Sequence, residues 1–122
     1  MGCTNANAEV KALTERLSAE YKLPIQIPQG TLPIKGFGGA TKSPEQKEQD
    51  LVAILKALTP GTHFLVEHPG YDNGDMKGVG HIGYENVAYD REGVTRAFTS
   101  AAVKKVIAER NIKLISIKEA LK

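Results

Sequence analysis

His63-Phe64-Leu65-Val66-Glu67-His68-Pro69-Gly70-Tyr71 is the stretch on which the reading of the fold turns. Residues 63–67 place apolar side chains on both faces, the pattern of a parallel strand covered by helices, and Pro69-Gly70 ends it. Upstream, Ser43 and Gln46 have the spacing of a capping box, with Pro44 in the first turn. Leu51, Val52, Leu55 and Leu58 then form an apolar helix stripe, closed by Thr59-Pro60-Gly61. Further back, Asn7 is placed to cap a helix whose Val10, Leu13, Leu17 and Tyr21 share a face; Pro24 stops it, and residues 23–28 read as a short extended segment bounded by prolines. Residues 30–42 form a glycine-rich loop. Its Gly36-Phe37-Gly38-Gly39 lacks the spacing and strand-to-helix setting of a phosphate-binding loop, but a loop of this length is a candidate rim for a site.

Downstream of the quoted stretch, residues 72–83 are glycine-rich and carry no hydrophobic period, so they read as loop. A helix follows from about Glu85-Asn86, with Val87, Val94, Ala97 and Phe98 inward and Arg91 on the same face. Gly93 within it costs about 1 kcal/mol relative to Ala. Ser100 caps another helix carrying Val103, Val106 and Ile107; Asn111 ends it, residues 112–117 read as a strand and residues 118–122 as a helical stub. Strands separated by helices imply βαβ units. The expected fold is α/β: parallel βα units in a partial (β/α) barrel-like arrangement of about three strands with flanking helices, forming a single domain over residues 1–122.

Composition narrows the function. The 122 residues are too few for a complete (β/α)₈ barrel, which typically takes about 250. With 41% hydrophobic and 25% charged residues the chain has the make-up of a globular protein. A net charge of +2 without a basic stripe argues against nucleic-acid binding. No apolar run approaches the ~18 residues of a membrane span and no signal-peptide pattern is present, so the expectation is a cytoplasmic protein without a membrane partner. The lone Cys3 excludes an internal disulfide and a Cys-rich metal site. Met1-Gly2-Cys3 opens like a lipidation signal, but Ala6 stands where that signal wants Ser or Thr.

In parallel α/β proteins, chemistry sits on loops beyond the C-terminal strand ends. That rule puts His68 on the functional face, where an imidazole can act as acid or base near neutral pH or cap the loop through its backbone. His63, at the opposite strand end, is expected to be structural. His81, in the glycine-rich loop, is either solvent-exposed or able to swing over the site. A guanidinium on an apolar helix face needs an acidic partner, and Glu67, Asp72, Asp75 and Asp90 are the local candidates for Arg91. No His, Asp and Glu cluster has metal-ligand spacing.

Two segments and the C-terminal run carry a family resemblance. Residues 65–71, Leu-Val-Glu-His-Pro-Gly-Tyr, residues 79–91, Val-Gly-His-Ile-Gly-Tyr-Glu-Asn-Val-Ala-Tyr-Asp-Arg, and residues 112–116, Ile-Lys-Leu-Ile-Ser, resemble the C-terminal portion of the YdjC-like carbohydrate deacetylases. The resemblance covers nearly the whole chain. It implies a hydrolase that uses a divalent ion, Zn or Mg, to remove the acetyl group from an N-acetylated amino sugar or oligosaccharide on a barrel-like scaffold. Under it, His68 matches the family's His-Pro-Gly histidine, which protonates the leaving amine, and Arg91 matches an arginine that orients acidic groups. Pro69, Gly70, Tyr71, His81 and Tyr84 are the expected substrate-binding residues, with Tyr71 or Tyr84 stacking on a pyranose. The family's metal ligands, an early-strand Asp and two histidines, have no counterpart here and would precede residue 1. The chain is therefore expected to bind no metal and to show little or no activity alone. The competing expectations are a remnant that holds sugar without cleaving it and a homo-oligomer formed through the open edges of so small a sheet.

Overall fold

A computed structural model describes residues 7–23 and 27–121. The lipidation reading at residues 1–3 lies outside the described residues, and so do residues 24–26 of the proline-bounded segment at residues 23–28. The chain divides into two compact units, residues 32–114 in one and residues 1–31 with 115–122 in the other. No helix among the described residues is long and apolar enough to cross a membrane.

Residues 32–114 hold the candidate site. Their order is β1 (Leu32–Pro33), α2 (Pro44–Ala57), β2 (His63–Phe64), α3 (Gly74–Lys77), α4 (Val87–Thr99) and α5 (Ala101–Glu109). α2 begins where its capping box says it should: Ser43 Oγ accepts the Gln46 N–H at 3.2 Å, and Gln46 Oε1 accepts the Ser43 N–H at 2.8 Å. At its far end Arg110 donates to the Lys56 and Leu58 carbonyls at 2.6 and 2.7 Å, satisfying acceptors that a helix terminus leaves open. α2 packs on α4 and α5, and the core is Phe37, Leu51, Leu55, Val94, Ala97, Val103 and Val106. Burying a side chain of Val, Leu or Phe size stabilises by about 1.5–3 kcal/mol. Ser43→Ala is expected to lower stability by about 1 kcal/mol in a urea melt, the usual worth of an N-cap. It should leave the conformation of the loop at residues 36–39 untouched.

The other unit contains α1 (Ala8–Tyr21) and α6 (Ile117–Ala120). Asn7 caps α1 by accepting the Val10 N–H at 2.8 Å, and Lys22 closes it in the left-handed region at φ 53°. α1 buries none of its residues; Leu13, Leu17 and Tyr21 are exposed.

The barrel-like α/β expectation is overturned. The described residues are mostly helical, and their sheet has only β1 and β2, parallel, with Leu32 beside His63 and Pro33 beside Phe64. The reasons are local. Residues 63–67 form a strand only at His63–Phe64, because the last ladder bond runs from the Ile34 N–H to the Phe64 carbonyl at 2.8 Å. Beyond it, the N–H groups of Phe37, Gly38 and Gly39 turn to side-chain carboxylates instead of a neighbouring strand. Residues 112–117 form no strand either. Ile112 bonds back to the Ile107 carbonyl at 2.9 Å, and Ser116 with Glu119 makes a second capping box that draws Ile117 into α6. β1, inside the glycine-rich loop, and the single turn α3, inside the loop at residues 72–83, form where no element was expected.

Candidate functional site

Gly36 and Gly38 leave room for the Glu67 carboxylate to approach the backbone, and Gly39 takes a positive φ of 149°. Glu67 Oε1 accepts the N–H of Phe37 and that of Gly38, the latter at 2.8 Å, while the Gly39 N–H donates to Asp90 Oδ1 at 2.9 Å. A Cβ on Gly36 would lie 2.8 Å from Glu67 Oε1 and one on Gly38 2.9 Å from Oε2, so neither position has room for a side chain. Successive N–H groups converging in this way make an anion-binding nest. Here the anions are the protein's own.

Asp90 ties this loop to the helices. It is buried in the first turn of α4, and its Oδ1 also accepts from Lys47 Nζ at 2.6 Å. The same ammonium donates to the Asp90 carbonyl at 2.9 Å, and Asp90 Oδ2 accepts the Tyr84 hydroxyl. Lys47 itself is fully buried. Burial pushes the Asp90 carboxyl upward, but hydrogen bonds from Lys47, Tyr84 and the Gly39 backbone outweigh it and hold the group below its ordinary value. Burial, with the hydrogen bond to Asp90 and its charge, raises the Tyr84 phenol above its usual range.

An open cleft of about 430 Å³ lies against this network, and Gly38, Gly39, Glu67, His68, Tyr84 and Asp90 are in its wall. Of the residues expected at the site, the structure brings His68 and Tyr84 to the cleft. His68 is exposed and takes part in no hydrogen bond among the described residues. Pro69, Gly70, Tyr71, His81 and Arg91 do not line it. Gly70 instead fastens the loop to α4: its N–H donates to Thr95 Oγ1 at 2.9 Å, and its carbonyl accepts from that hydroxyl at 2.7 Å. A Cβ there would meet Met76 Cε at 2.9 Å and Arg91 Cβ at 3.2 Å. Tyr71 is 71% exposed. His81 and Tyr84 face each other across a tight turn, rings 5.7 Å apart, with Gly83 at φ 87°. His63 Nε2 lies 2.8 Å from the Thr59 carbonyl.

Among the described residues Arg91 finds no carboxylate partner. Glu67 is taken by backbone N–H groups, Asp90 by Lys47, and Asp72 by Lys77 at 3.3 Å. The guanidinium is half-buried, with Nη1 at 3.8 Å from Met76 Sδ and Nε without a partner among the described residues. The buried charge of α4 is Asp90, one residue earlier. Sequence reasoning named Glu67 and Asp90 only as partners for Arg91 and passed over Lys47. Its signal is spacing: Lys47, Leu51 and Leu55 recur every fourth residue on the buried face of α2.

The divalent ion implied by the resemblance does not fit these residues. Among the described residues no group of three or more His, Cys, Asp or Glu side chains could hold a metal. No protein-family model matches the chain, and no curated protein matches it.

Proposed function

We propose that the cleft receives an N-acetylated amino sugar, and that when water adds to the acetyl carbon and the C–N bond breaks to release acetate, His68 delivers a proton to the departing amine nitrogen. Convergence is the observation that supports this reading. The His-Pro-Gly-Tyr segment and the Gly-His-Ile-Gly-Tyr-Glu-Asn segment, which carry the resemblance to sugar deacetylases, send His68 and Tyr84 into one cleft beside Glu67 and Asp90. An amide nitrogen leaves readily only once protonated, and an exposed imidazole without a hydrogen-bond partner among the described residues can supply that proton. Carboxylate and phenol oxygens in the same wall suit the hydroxyl and N–H donors of an amino sugar. Water activation is not assigned to this chain.

The test is an NMR titration of the 122-residue chain with di-N-acetylchitobiose, with acetate release measured in parallel. Binding of about millimolar affinity is expected, with backbone shifts confined to residues 36–40, 66–68 and 84. Acetate release by the chain alone should stay at background. No shift in those residues at saturating sugar, or shifts centred on the exposed Tyr71 instead, would overturn the reading.

A further inference from the structure

Lys47 leaves the polar run Glu45-Gln46-Lys47-Glu48-Gln49-Asp50 of α2 and turns inward. Its path crosses α4 at Gly93, where a Cβ would stand 2.9 Å from Lys47 Cδ and 3.0 Å from Nζ. The helix thus gives up about 1 kcal/mol of propensity at Gly93 at the one point where the lysine passes. The ammonium then holds both the side chain and the carbonyl of Asp90. With Oδ1 engaged by Lys47 and by the Gly39 N–H, the free edge of the carboxylate is Oδ2, and this oxygen receives the Tyr84 hydroxyl.

A phenol carries a single proton. Committed to Asp90, that proton is withdrawn from the cleft, and the Tyr84 oxygen has only lone pairs to offer a ligand. We propose that Lys47 is a positioning residue for the cleft: by fixing the Asp90 carboxylate it commits the Tyr84 proton inward, so that Tyr84 meets a ligand as an acceptor for an N–H or O–H group. The acetamido N–H and the ring hydroxyls of an amino sugar are such donors. The identity of the ligand rests on the sugar-binding reading above; the Lys47, Asp90 and Tyr84 chain does not. The other charged or titratable groups beside the phenol are Arg91, whose charge and side-chain hydrogen bond both oppose the effect of Asp90 and whose guanidinium competes for one Tyr84 lone pair, and His81, whose ring meets it at 68°.

The experiment is a pH titration of the full chain labelled at tyrosine Cζ, followed by NMR, in the wild type, Lys47→Met and Gly93→Ala. Di-N-acetylchitobiose is titrated into each protein at pH 7. Tyr84 is expected to titrate above the ordinary tyrosine range in the wild type and to move part of the way back in both variants, because burial, the largest cause of the rise, remains and only the contribution of Asp90 is weakened. Affinity for the disaccharide should fall roughly tenfold, the loss of one well-oriented hydrogen bond. Gly93→Ala displaces the ammonium without deleting it and adds helix propensity, so it carries the test if Lys47→Met does not fold. An ordinary Tyr84 titration in the wild type overturns the proposal. So does a lowered melting temperature with Tyr84 titration unchanged, the mark of a lysine that only holds the fold together. An elevated Tyr84 titration that relaxes in the variants, together with no disaccharide binding by the wild type, overturns the sugar reading while upholding the hold of Lys47 on Tyr84.

Discussion

Asp90→Ala is expected to remove about 3–5 kcal/mol of unfolding free energy, read from urea melts at pH 7. Small domains have about 5–15 kcal/mol in all, so a marginal protein would be largely unfolded. The magnitude follows from what the substitution strands. Lys47, fully buried, would keep the backbone carbonyl of residue 90 as its hydrogen-bond acceptor and the Tyr89 ring 5.9 Å away, and the Gly39 N–H and Tyr84 hydroxyl would both lose their acceptor. Lys47→Met should cost a similar amount for the converse reason. The double variant Lys47→Met/Asp90→Ala should be considerably more stable than the sum of the singles implies, because an apolar pair leaves no buried charge. Additivity within about 0.5 kcal/mol would mean that the two groups are not coupled. Acid supplies a second arm. The Asp90 carboxyl is held below its ordinary value in the folded state, so its contribution is complete above the unfolded value near pH 4 and is lost as pH falls through the folded value. Wild type should therefore lose stability below about pH 4 more steeply than Asp90→Ala.

Gly93→Ala should destabilise by about 1 kcal/mol, although alanine is the better helix former. Propensity favours Ala by about 1 kcal/mol, but the new methyl meets Lys47 Cδ at 2.9 Å and Nζ at 3.0 Å. An exposed lysine would swing aside. This one is enclosed and held by Asp90, and forcing atoms into a packed interior typically costs about 1–3 kcal/mol. In a Lys47→Ala background the sign should reverse, with Gly93→Ala stabilising by up to about 1 kcal/mol. A destabilising effect of the same size in both backgrounds would show that the lysine is not the obstacle.

The parts of this fold legible in the sequence are those settled within a few residues. Asn7, Ser43 and Ser100 each bond to an N–H three positions on, so the helix starts could be read directly. The start of α4 is less marked, since Asn86 makes no side-chain cap. Strands need a partner elsewhere in the chain, and apolar runs at residues 63–67 and 112–117 do not reveal whether one is available. In the second run a local signal was present: Ser116 and Glu119 have capping-box spacing. The inner face of α4 was ambiguous for a different reason. Val87, Val94 and Ala97 are compatible with a stripe that takes in Arg91 and Phe98 or one that takes in Asp90, and hydrophobicity favours Phe98. The structure buries Asp90 and Ala97, leaving Phe98 38% exposed at the edge of Phe37, ring to ring at 5.3 Å. The acidic cleft followed from that rotation of the helix, and Lys47, its counter-charge, sat in a run of residues that reads as a solvated face.

The carboxylate-filled glycine loop also sets an order in time. Its hydrogen bonds join residues 29, 30 and 51 positions apart, whereas the Ser43 capping box spans three. Single helices form in about 0.1–1 μs, but contacts between distant segments wait on the entropy of closing the chain between them. The cleft therefore forms only when the chain between these segments has closed, together with the equally distant contacts of α2 on α5. A population that still shows full helical circular dichroism can already have lost the pocket, so helicity alone is a poor assay of whether the molecule is competent to bind.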